Sequence, residues 1–339
     1  MVKNKVIVSV IIPCLNEEKY ITKCLDSVIH SDYPFSQMEI FVIDGMSSDK
    51  TRELIQTYTD QYKNIKLVLN PQKTAPAAMN LGIKSSQGEY IIRLDAHAVY
   101  PVDYISKLIY WHKKLNAQNV GGIWNIEALN KNKKSLSICT ILTDKFGVGN
   151  ALFRIGTQDV TEVDTVPFGC YRRSTFEEYG YYNEKLVRNQ DIELNKRIKQ
   201  GGGTIFLIPE IISTYYARET FAALAKNNYA NGFWNILTVY YTKNFKSLSL
   251  RHFIPLIFIL SLIIPAGLSF ISLYLLLISC CSLLVYLIVI LVRSVSLYYK
   301  NRKTGILMLL TSFVVLHFSY GFGSLSGIAA FVKRKYTGE

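Results

Sequence analysis

The sequence predicts an α/β protein in which a parallel, doubly wound sheet is followed by an α-helical membrane region. Between residues 6 and 94, short apolar runs alternate with segments whose apolar residues recur at helical spacing. From residue 253 to residue 292, forty consecutive residues carry no charged side chain. Alternating strands and helices form parallel sheets, and about 20 apolar residues cross a bilayer, so each observation predicts one of the two regions.

The elements of the predicted sheet follow in chain order. We expect strands at residues 6–12, 40–43, 65–69 and 90–94, and helices at residues 17–30, 50–62 and 75–85. Right-handed connections between these parallel strands place helices on both faces of the sheet. The loops that follow the strands should therefore gather at one edge, at residues 13–17, 44–49, 70–80 and 95–97.

The second half of the charged region is less regular. Residues 136–153 are apolar, but with Gly147-Val148-Gly149 embedded they have neither a clear helical nor a clear strand pattern. From residue 163 the pattern predicts a strand, a turn at residues 168–171 and a helix at residues 174–179. A further helix at residues 189–200 should end at three glycines, and a last strand at residues 204–208 should end before Pro209.

The apolar segments predict the domain organisation. Residues 253–292 fit two tightly joined helices. Residues 305–332 form a third segment without Lys, Arg, Asp or Glu, which could be a full span, a re-entrant segment or a tightly packed segment. Residues 243–252 mix basic and apolar side chains, as an interfacial segment would. We therefore expect a catalytic domain at residues 1–220, amphipathic linking helices at residues 221–252, and transmembrane helices at residues 253–332.

Charge distribution predicts a protein of the cell (inner or plasma) membrane with its first domain in the cytoplasm. The amino terminus has no secretory signal pattern, and the basic residues between the second and third apolar segments favour a cytosolic loop. These residues are Arg293, Lys300, Arg302 and Lys303. The side on which the carboxyl terminus lies stays open. The net charge of +13 is dispersed, which favours anionic membrane lipids over nucleic acid as a partner.

Three acidic residues stand at predicted strand ends: Glu17, Asp44 and Asp95. Asp95 and His97 could hold a divalent cation beside a diphosphate, although an ordinary surface turn after a buried strand could have the same sequence. An acidic residue after the second strand of a nucleotide-binding sheet commonly binds a base or ribose, which is the role expected of Asp44. The alternative is a cap or turn residue, which is plausible for Asp49.

Asp191 falls in the first turn of the helix predicted at residues 189–200. A carboxylate there is stabilised by the helix dipole, so it could be only a capping residue. The functional alternative is a general base that faces an acceptor hydroxyl. Glu193 and Arg197, four residues apart, predict an ordinary ion pair on the same helix.

Taken together, these motifs resemble family 2 glycosyltransferases of the Rossmann-like GT-A fold. Their order and spacing match, which is more specific than any single motif. The later motifs resemble the succinoglycan-type, ExoA-like branch, and the resemblance covers about residues 6–235. The matching segments are residues 8–18, 43–51, 93–97, 163–169 and 186–195.

The resemblance implies a role for each matching residue. Asp95 also belongs to the nucleotide site, and with His97 it matches the metal-binding Asp-x-Asp motif, with histidine in place of the last aspartate; Mg²⁺ or Mn²⁺ is implied. Asp191 matches the catalytic base, although Gln190 stands where the family commonly has Glu. The residues implied in nucleotide binding are Pro13, Asn16, Glu17, Asp44, Ser47, Ala78 and Asn80, and those implied in acceptor binding are Phe168, Gly169, Gln190, Arg218 and Trp234.

The function that the resemblance implies is an inverting transfer from a UDP- or GDP-linked sugar to a lipid-linked acceptor, in polysaccharide or glycolipid synthesis. The Gln-x-x-Arg-Trp signature of processive synthases is missing at the corresponding position, which favours single additions. Two alternatives stay open. A sugar nucleotidyltransferase would carry a glycine-rich, basic loop after the first strand, unlike residues 13–18. A catalytically inactive membrane scaffold would have no reason to keep Asp44, Asp95, His97 and Asp191 together.

Overall fold

The computed structural model describes residues 6–243 and 250–337, which fall into two compact units. The first unit comprises Met1–Asn125 and Leu152–Tyr216, and the second comprises Ile126–Ala151 and Ala217–Glu339. Residues 1–5 and 244–249 of the predicted catalytic and interfacial segments lie outside the described residues. The domain limits predicted at residues 220 and 252 stay a prediction.

The first half of the sheet is parallel, as predicted. Its strands lie in the order β3-β2-β1-β4, and each neighbouring pair runs in the same direction. Each connection passes through a helix, as parallel neighbours require. The elements are β1 (Val8–Cys14), α1 (Ile21–Ile29), β2 (Met38–Asp44), α2 (Thr51–Gln61), β3 (Ile65–Leu69), α3 (Ala75–Ser85) and β4 (Tyr90–Arg93).

The second half of the sheet, for which the sequence pattern was less regular, is antiparallel. β8 is antiparallel to both β4 and β6, and β5 and β7 are antiparallel to β9. These elements are β5 (Ala98–Val99), α4 (Tyr104–Leu115), β6 (Asn119–Glu127), α7 (Leu152–Ile155), β7 (Thr161–Glu162), β8 (Cys170–Arg172), α8 (Arg173–Tyr179), α9 (Gln190–Gln200) and β9 (Ile205–Tyr216). Strands of two or three residues are too short to show a strand period in sequence.

Helices cover both faces of the sheet. Successive strand residues point to opposite sides, so each face of the sheet has its own set of buried apolar side chains. On β1, Val8, Val10 and Ile12 belong to one buried cluster, which α1 and α4 help to form. Ile11 belongs to a second cluster, which α3, α8 and α9 help to form. The two cores hold the carboxyl ends of the parallel strands in fixed register, and this is the edge where the polar motifs lie.

Gly88 allows the turn before β4 to lie against β1. A Cβ atom at this position would lie 2.6 Å from the backbone nitrogen of Ser9 and 2.8 Å from the carbonyl carbon of Val8. Gly88→Ala should therefore destabilise the protein by about 1–3 kcal/mol, as overpacking against backbone does. Thermal unfolding of the purified protein measures this effect, with the exposed Gln87→Ala as control. Equal midpoints for the two variants would contradict the close approach.

The second unit is helical, and three of its described helices are long and apolar enough to cross a membrane. These candidate spans are Leu250–Gly267, Leu273–Lys300 and Ile306–Thr337, of 18, 28 and 32 residues. The helices of the unit are α5 (Lys133–Leu142), α6 (Lys145–Val148), α10 (Phe221–Thr242), α11 (Ile254–Gly267), α12 (Leu273–Lys300) and α13 (Ile306–Thr337), with a 3₁₀ turn at Leu250–Phe253.

Glycines of the third apolar segment let helices of this unit approach closely. A Cβ at Gly323 would meet the backbone oxygen of Tyr229 on α10, and one at Gly232 would meet that of Tyr320 on α13. Small residues at such crossings are typical of helix pairs in membranes. The glycines of α10 and α13 therefore lie where these two helices approach each other closely.

Two expectations for the second unit are corrected. Much of the apolar stretch without a clear pattern is helical, in α5 and α6, because its regular segments are too short to establish a period. Arg293 and Lys300 lie within α12 rather than in the loop that follows. Nε of Arg293 lies 3.0 Å from Oδ2 of the buried Asp144. A paired arginine can lie inside a helix that length and composition mark as a candidate span.

Candidate active site

The polar motifs meet at the carboxyl edge of the parallel strands, where the loops after β1 and β2 are hydrogen-bonded to each other. The Asn16 amide donates to the Ser47 hydroxyl at 2.8 Å, and the Ser48 amide donates to the Asn16 side chain at 2.8 Å. Asn16 has a φ of +56°, a left-handed conformation that asparagine tolerates better than most residues. The two loops therefore form one structure that presents Glu17 at the edge.

Asp44 ends β2 and is fully buried. Its carboxylate accepts hydrogen bonds from the Ser47 amide at 3.0 Å and from the Ser47 hydroxyl at 2.5 Å. Nε of Arg52 lies 3.8 Å from the same carboxylate. The structure thus brings Asp44 and Ser47 together. The Asp44 carboxylate holds the turn after β2 through these hydrogen bonds.

Asp49 has the turn role that the sequence left open. Its carboxylate accepts hydrogen bonds from the Thr51 amide at 3.0 Å and from the Thr51 hydroxyl. Oγ1 of Thr51 in turn accepts a hydrogen bond from the Glu17 amide at 2.8 Å. Asp49 therefore fixes the start of α2 and, through Thr51, the position of Glu17.

Three further residues implied in nucleotide binding lie in the framework of this edge. Pro13 is within β1, where it is paired with Ile43, and Ala78 is buried in the second core cluster. Asn80, on α3, donates to the Tyr182 carbonyl at 2.9 Å and accepts from the Tyr182 amide at 3.0 Å. Asn80 therefore holds the loop that leads into α9.

His97 is oriented by a carboxylate and by aromatic rings. Its Nδ1 lies 3.0 Å from Oε1 of Glu17, which joins the turn after β4 to the loop after β1. The rings of Tyr20 and Tyr215 pack edge-on against the imidazole, with centroids 6.3 and 5.2 Å away. The position of the ring is fixed from three sides.

Arg93 is the residue that links the predicted metal ligand to the predicted base. Its Nη2 lies 3.0 Å from Oδ1 of Asp95, and its Nη1 lies 3.7 Å from Oδ2 of Asp191. Burial alone would lower the pKa of the guanidinium, but the two carboxylates raise it above its ordinary value. Arg93 therefore stays charged and holds both carboxylates at one place.

Sequence reasoning missed Arg93, although a signal for it was present. A charged residue inside a buried strand is rare unless it is paired. Arg93 ends the run Tyr-Ile-Ile-Arg of β4, and its side chain is only 13% exposed. That position alone indicated a carboxylate partner, but it did not indicate which one.

Asp191 lies in the first turn of α9, with its side chain 33% exposed. The predicted ion pair between Glu193 and Arg197 is present, with Nε 2.7 Å from Oε1. Gln190 is buried, and its side-chain oxygen has no hydrogen-bond partner among the described residues. Asp191 is thus the carboxylate at this end of α9 that faces both Arg93 and solvent.

The residues implied in acceptor binding divide between the two units. The Gly169 carbonyl accepts a hydrogen bond from the Arg93 amide at 3.0 Å, so this loop borders β4. Phe168 has a φ of +47°, which is strained for a bulky residue, and it is buried against Tyr100 and Trp124. Arg218 and Trp234 belong to the second unit, Trp234 on α10.

Asp95 and His97 at this edge have side chains of the kinds that can hold a divalent cation. Within residues 6–243 and 250–337, no group of three or more His, Cys, Asp or Glu is placed to hold a metal. However, Mg²⁺ in phosphate sites commonly takes only one or two protein groups, and Asp95 and His97 offer two. Metal-binding histidines usually donate their second nitrogen to an acceptor such as a carboxylate, as Nδ1 can to Glu17.

Comparisons of the sequence with known proteins point to one family of enzymes. The profile described as Glycosyl transferase family 2 matches residues 9–180. One relative is the dolichyl N-acetyl-alpha-D-glucosaminyl phosphate 3-beta-D-2,3-diacetamido-2,3-dideoxy-beta-D-glucuronosyltransferase of Methanococcus voltae. The chain is 29% identical to it, and the alignment covers 96% of this chain and 99% of the relative. The chain is 26% identical to the succinoglycan biosynthesis protein ExoA of Rhizobium meliloti, over 62% of this chain and 63% of that one.

Solved structures share the fold. A mannosyltransferase from Pyrobaculum calidifontis, in complex with GDP-Man and Mn²⁺, aligns with a TM-score of 0.60 at 14% identity, over 96% of this chain and 87% of that chain. Residues 1–349 of TarS from Staphylococcus aureus, in complex with UDP-GlcNAc, align with a TM-score of 0.52 at 14% identity, over 96% and 92%. At this identity the two structures establish the predicted GT-A fold and no more.

Proposed function

The chain belongs to glycosyl transferase family 2, and we propose that it transfers single sugars, with inversion, from a UDP- or GDP-linked donor to a lipid-linked acceptor. The name of the Methanococcus voltae relative, which aligns over nearly the whole chain, specifies an acceptor sugar carried on a dolichyl phosphate. Solved relatives hold GDP-Man and UDP-GlcNAc. These names support the classes of donor and acceptor, and the specific sugars are left to experiment.

One observation carries the proposed mechanism: Arg93 contacts Asp95 and Asp191 at once, at 3.0 and 3.7 Å. Asp95 follows a strand at the edge where nucleotides bind in α/β sheets, and Asp191 begins a helix beside it. An inverting transfer needs a diphosphate site and a base on opposite sides of one anomeric carbon. A single guanidinium holds Asp95 and Asp191 near each other, which supports this arrangement.

The reaction would proceed by direct displacement at the anomeric carbon. Asp191 accepts the proton of the acceptor hydroxyl while that oxygen attacks the carbon, and the bond from the carbon to the nucleoside diphosphate breaks. Asp95 and His97 would hold Mg²⁺ or Mn²⁺, and the bound cation would neutralise the negative charge of the leaving diphosphate. Arg93 keeps both carboxylates oriented and adds a positive charge to the same place.

The membrane helices suggest where this reaction occurs. Three described helices could cross a bilayer. Arg302 and Lys303 lie between α12 and α13, so the positive-inside rule puts that loop in the cytosol. We therefore assign the protein to the cell membrane as a multi-pass protein, with the sheet on the cytosolic side, where nucleotide sugars are available.

Calorimetric titration with nucleotide sugars separates the proposed enzyme from its alternatives. With Mn²⁺ present, at least one UDP- or GDP-linked sugar should bind, and chelation of the metal should weaken that binding by at least about tenfold. A membrane scaffold would show no metal-dependent donor binding. A nucleotidyltransferase would release diphosphate from a nucleoside triphosphate and a sugar phosphate. Either of these results would contradict the proposal.

His97→Asp tests whether the imidazole is a metal ligand. A carboxylate is a harder ligand than an imidazole, so the ratio of the rates in Mg²⁺ and Mn²⁺ should rise by about tenfold. Initial rates over a range of each metal concentration measure this ratio. His30→Asp, at an exposed histidine after α1, is the matched control. A metal profile identical to that of the unmodified protein would remove His97 from the site.

A further inference from the structure

Arg154, on α7, is a cation whose described contacts are aromatic rings. Its guanidinium carbon lies 4.7 Å from the centre of the Trp124 ring and 5.4 Å from that of Phe153. Among the described residues, no carboxylate forms an ion pair with it. Arginines that are partly removed from water normally have an acidic partner, so the guanidinium of Arg154 has donor groups that an anion could use.

The rings that hold Arg154 extend to the proposed metal ligand. Trp124 stacks on Tyr215 with centroids 4.2 Å apart and planes 4° from parallel. Tyr215 in turn contacts the His97 ring edge-on, at 5.2 Å. All of these residues belong to the first unit. Arg154 is therefore tied to the reacting edge through two aromatic rings.

The environment of Arg154 favours binding of an anion. Burial lowers the pKa of its guanidinium because few neighbouring groups compensate for lost hydration. A bound anion would restore that stabilisation, and a guanidinium matches a phosphate in shape and charge. The indole nitrogen of Trp124 beside it is also buried without a hydrogen-bond partner among the described residues. The guanidinium lies over the ring that carries this nitrogen, 4.7 Å from its centre.

We propose that Arg154 binds the phosphate of the lipid-linked acceptor. This inference rests on the proposed function and names a recognition element of the same site. In an acceptor sugar joined to a lipid phosphate, the sugar ring separates the attacking hydroxyl from the phosphate. Two aromatic rings separate Arg154 from His97, so Arg154 is placed to bind the phosphate of the acceptor. The diphosphate of the donor is assigned to Asp95 and His97 instead.

Farnesyl phosphate is a suitable probe, with farnesol as its neutral counterpart. Binding of each to the full-length protein in detergent can be followed by tryptophan fluorescence. Arg154→Gln should weaken binding of farnesyl phosphate by about 10- to 100-fold, the effect of one charge-assisted hydrogen-bonded pair, and leave binding of farnesol unchanged. Arg154→Lys should retain part of the affinity for farnesyl phosphate, since lysine keeps the positive charge but lacks the paired donors of a guanidinium.

Controls separate this site from the donor site and from a structural role. Lys114→Gln removes another cation held over a tryptophan, 4.4 Å from the Trp111 ring, and should leave both probes unaffected. UDP and GDP binding in Mn²⁺ should change by less than about twofold in Arg154→Gln. Because binding is measured without turnover, a negative result here is distinct from a failure of the transfer reaction.

Three results would overturn the proposal. The first is equal affinity of the unmodified protein for farnesyl phosphate and for farnesol. This comparison requires no variant of the protein. The second is unchanged binding of farnesyl phosphate in Arg154→Gln. The third is a loss of nucleotide binding in that variant as large as the loss of farnesyl phosphate binding, which would place Arg154 at the donor.

Discussion

Asp191→Asn is expected to lower the rate of sugar transfer by about 10² to 10⁴-fold, because an amide of the same shape cannot accept the acceptor proton. The Asp191 side chain is 33% exposed, and its partner Arg93 keeps its ion pair with Asp95 at 3.0 Å, so the fold should persist in this variant. Donor affinity should stay within about twofold, since Asp191 is assigned to the acceptor side. Initial rates and calorimetric donor titration measure the two quantities separately.

Asp159→Asn provides the control for this prediction, because Asp159 is an exposed aspartate of the same unit. Near-normal turnover in Asp191→Asn would remove Asp191 from the role of base. An equal fall in donor affinity and turnover would instead place Asp191 in the donor site. The prediction requires that turnover falls and donor affinity does not.

Asp95→Asn should lower kcat/KM by about 10² to 10³-fold, because a ligand of the cation that neutralises the leaving diphosphate is lost. The loss should appear in donor binding as well, and no Mn²⁺ concentration should restore the full rate. Asp103→Asn, at a partly exposed aspartate paired with Lys107 at 2.7 Å, is the control. Full recovery of the rate at high metal concentration would show that Asp95 only tunes metal affinity.

Asp95 and Asp191 should not act independently in such experiments, because both contact Arg93. Removing either carboxylate leaves Arg93 with a single acidic partner. The double variant should therefore lose less than the product of the two single effects, as neighbours in one network do. Strictly multiplicative losses would contradict the shared contact.

The sequence predicted the parallel strands well for a physical reason. β1 to β4 are runs of apolar residues separated by helices of clear period, and the limits of β3 match those predicted. β6 was missed because Gly121 and Gly122 interrupt its pattern. The last strand was predicted to end before Pro209, but β9 continues to Tyr216. Proline interrupts ladder bonding, although strands tolerate it at edges and bulges.

Candidate site residues could be predicted only where local position implied chemistry. Asp95 and Asp191 could be proposed because one follows a strand and the other begins a helix. Arg93 was missed because its partner Asp191 is far along the chain, and only the folded sheet brings the two together. The contact between Asn80 and Tyr182 was missed for the same reason, since it joins α3 to the loop before α9.

A transfer assay with extracted membrane lipids tests the central claim most directly. Purified protein is incubated with UDP- and GDP-linked sugars, lipid acceptors and Mn²⁺, and the lipids are analysed by mass. The account predicts that one donor adds a single sugar to a lipid, that chelation of Mn²⁺ stops the addition, and that Asp191→Asn forms little product. No lipid product with any donor, or equal product from Asp191→Asn, would contradict it.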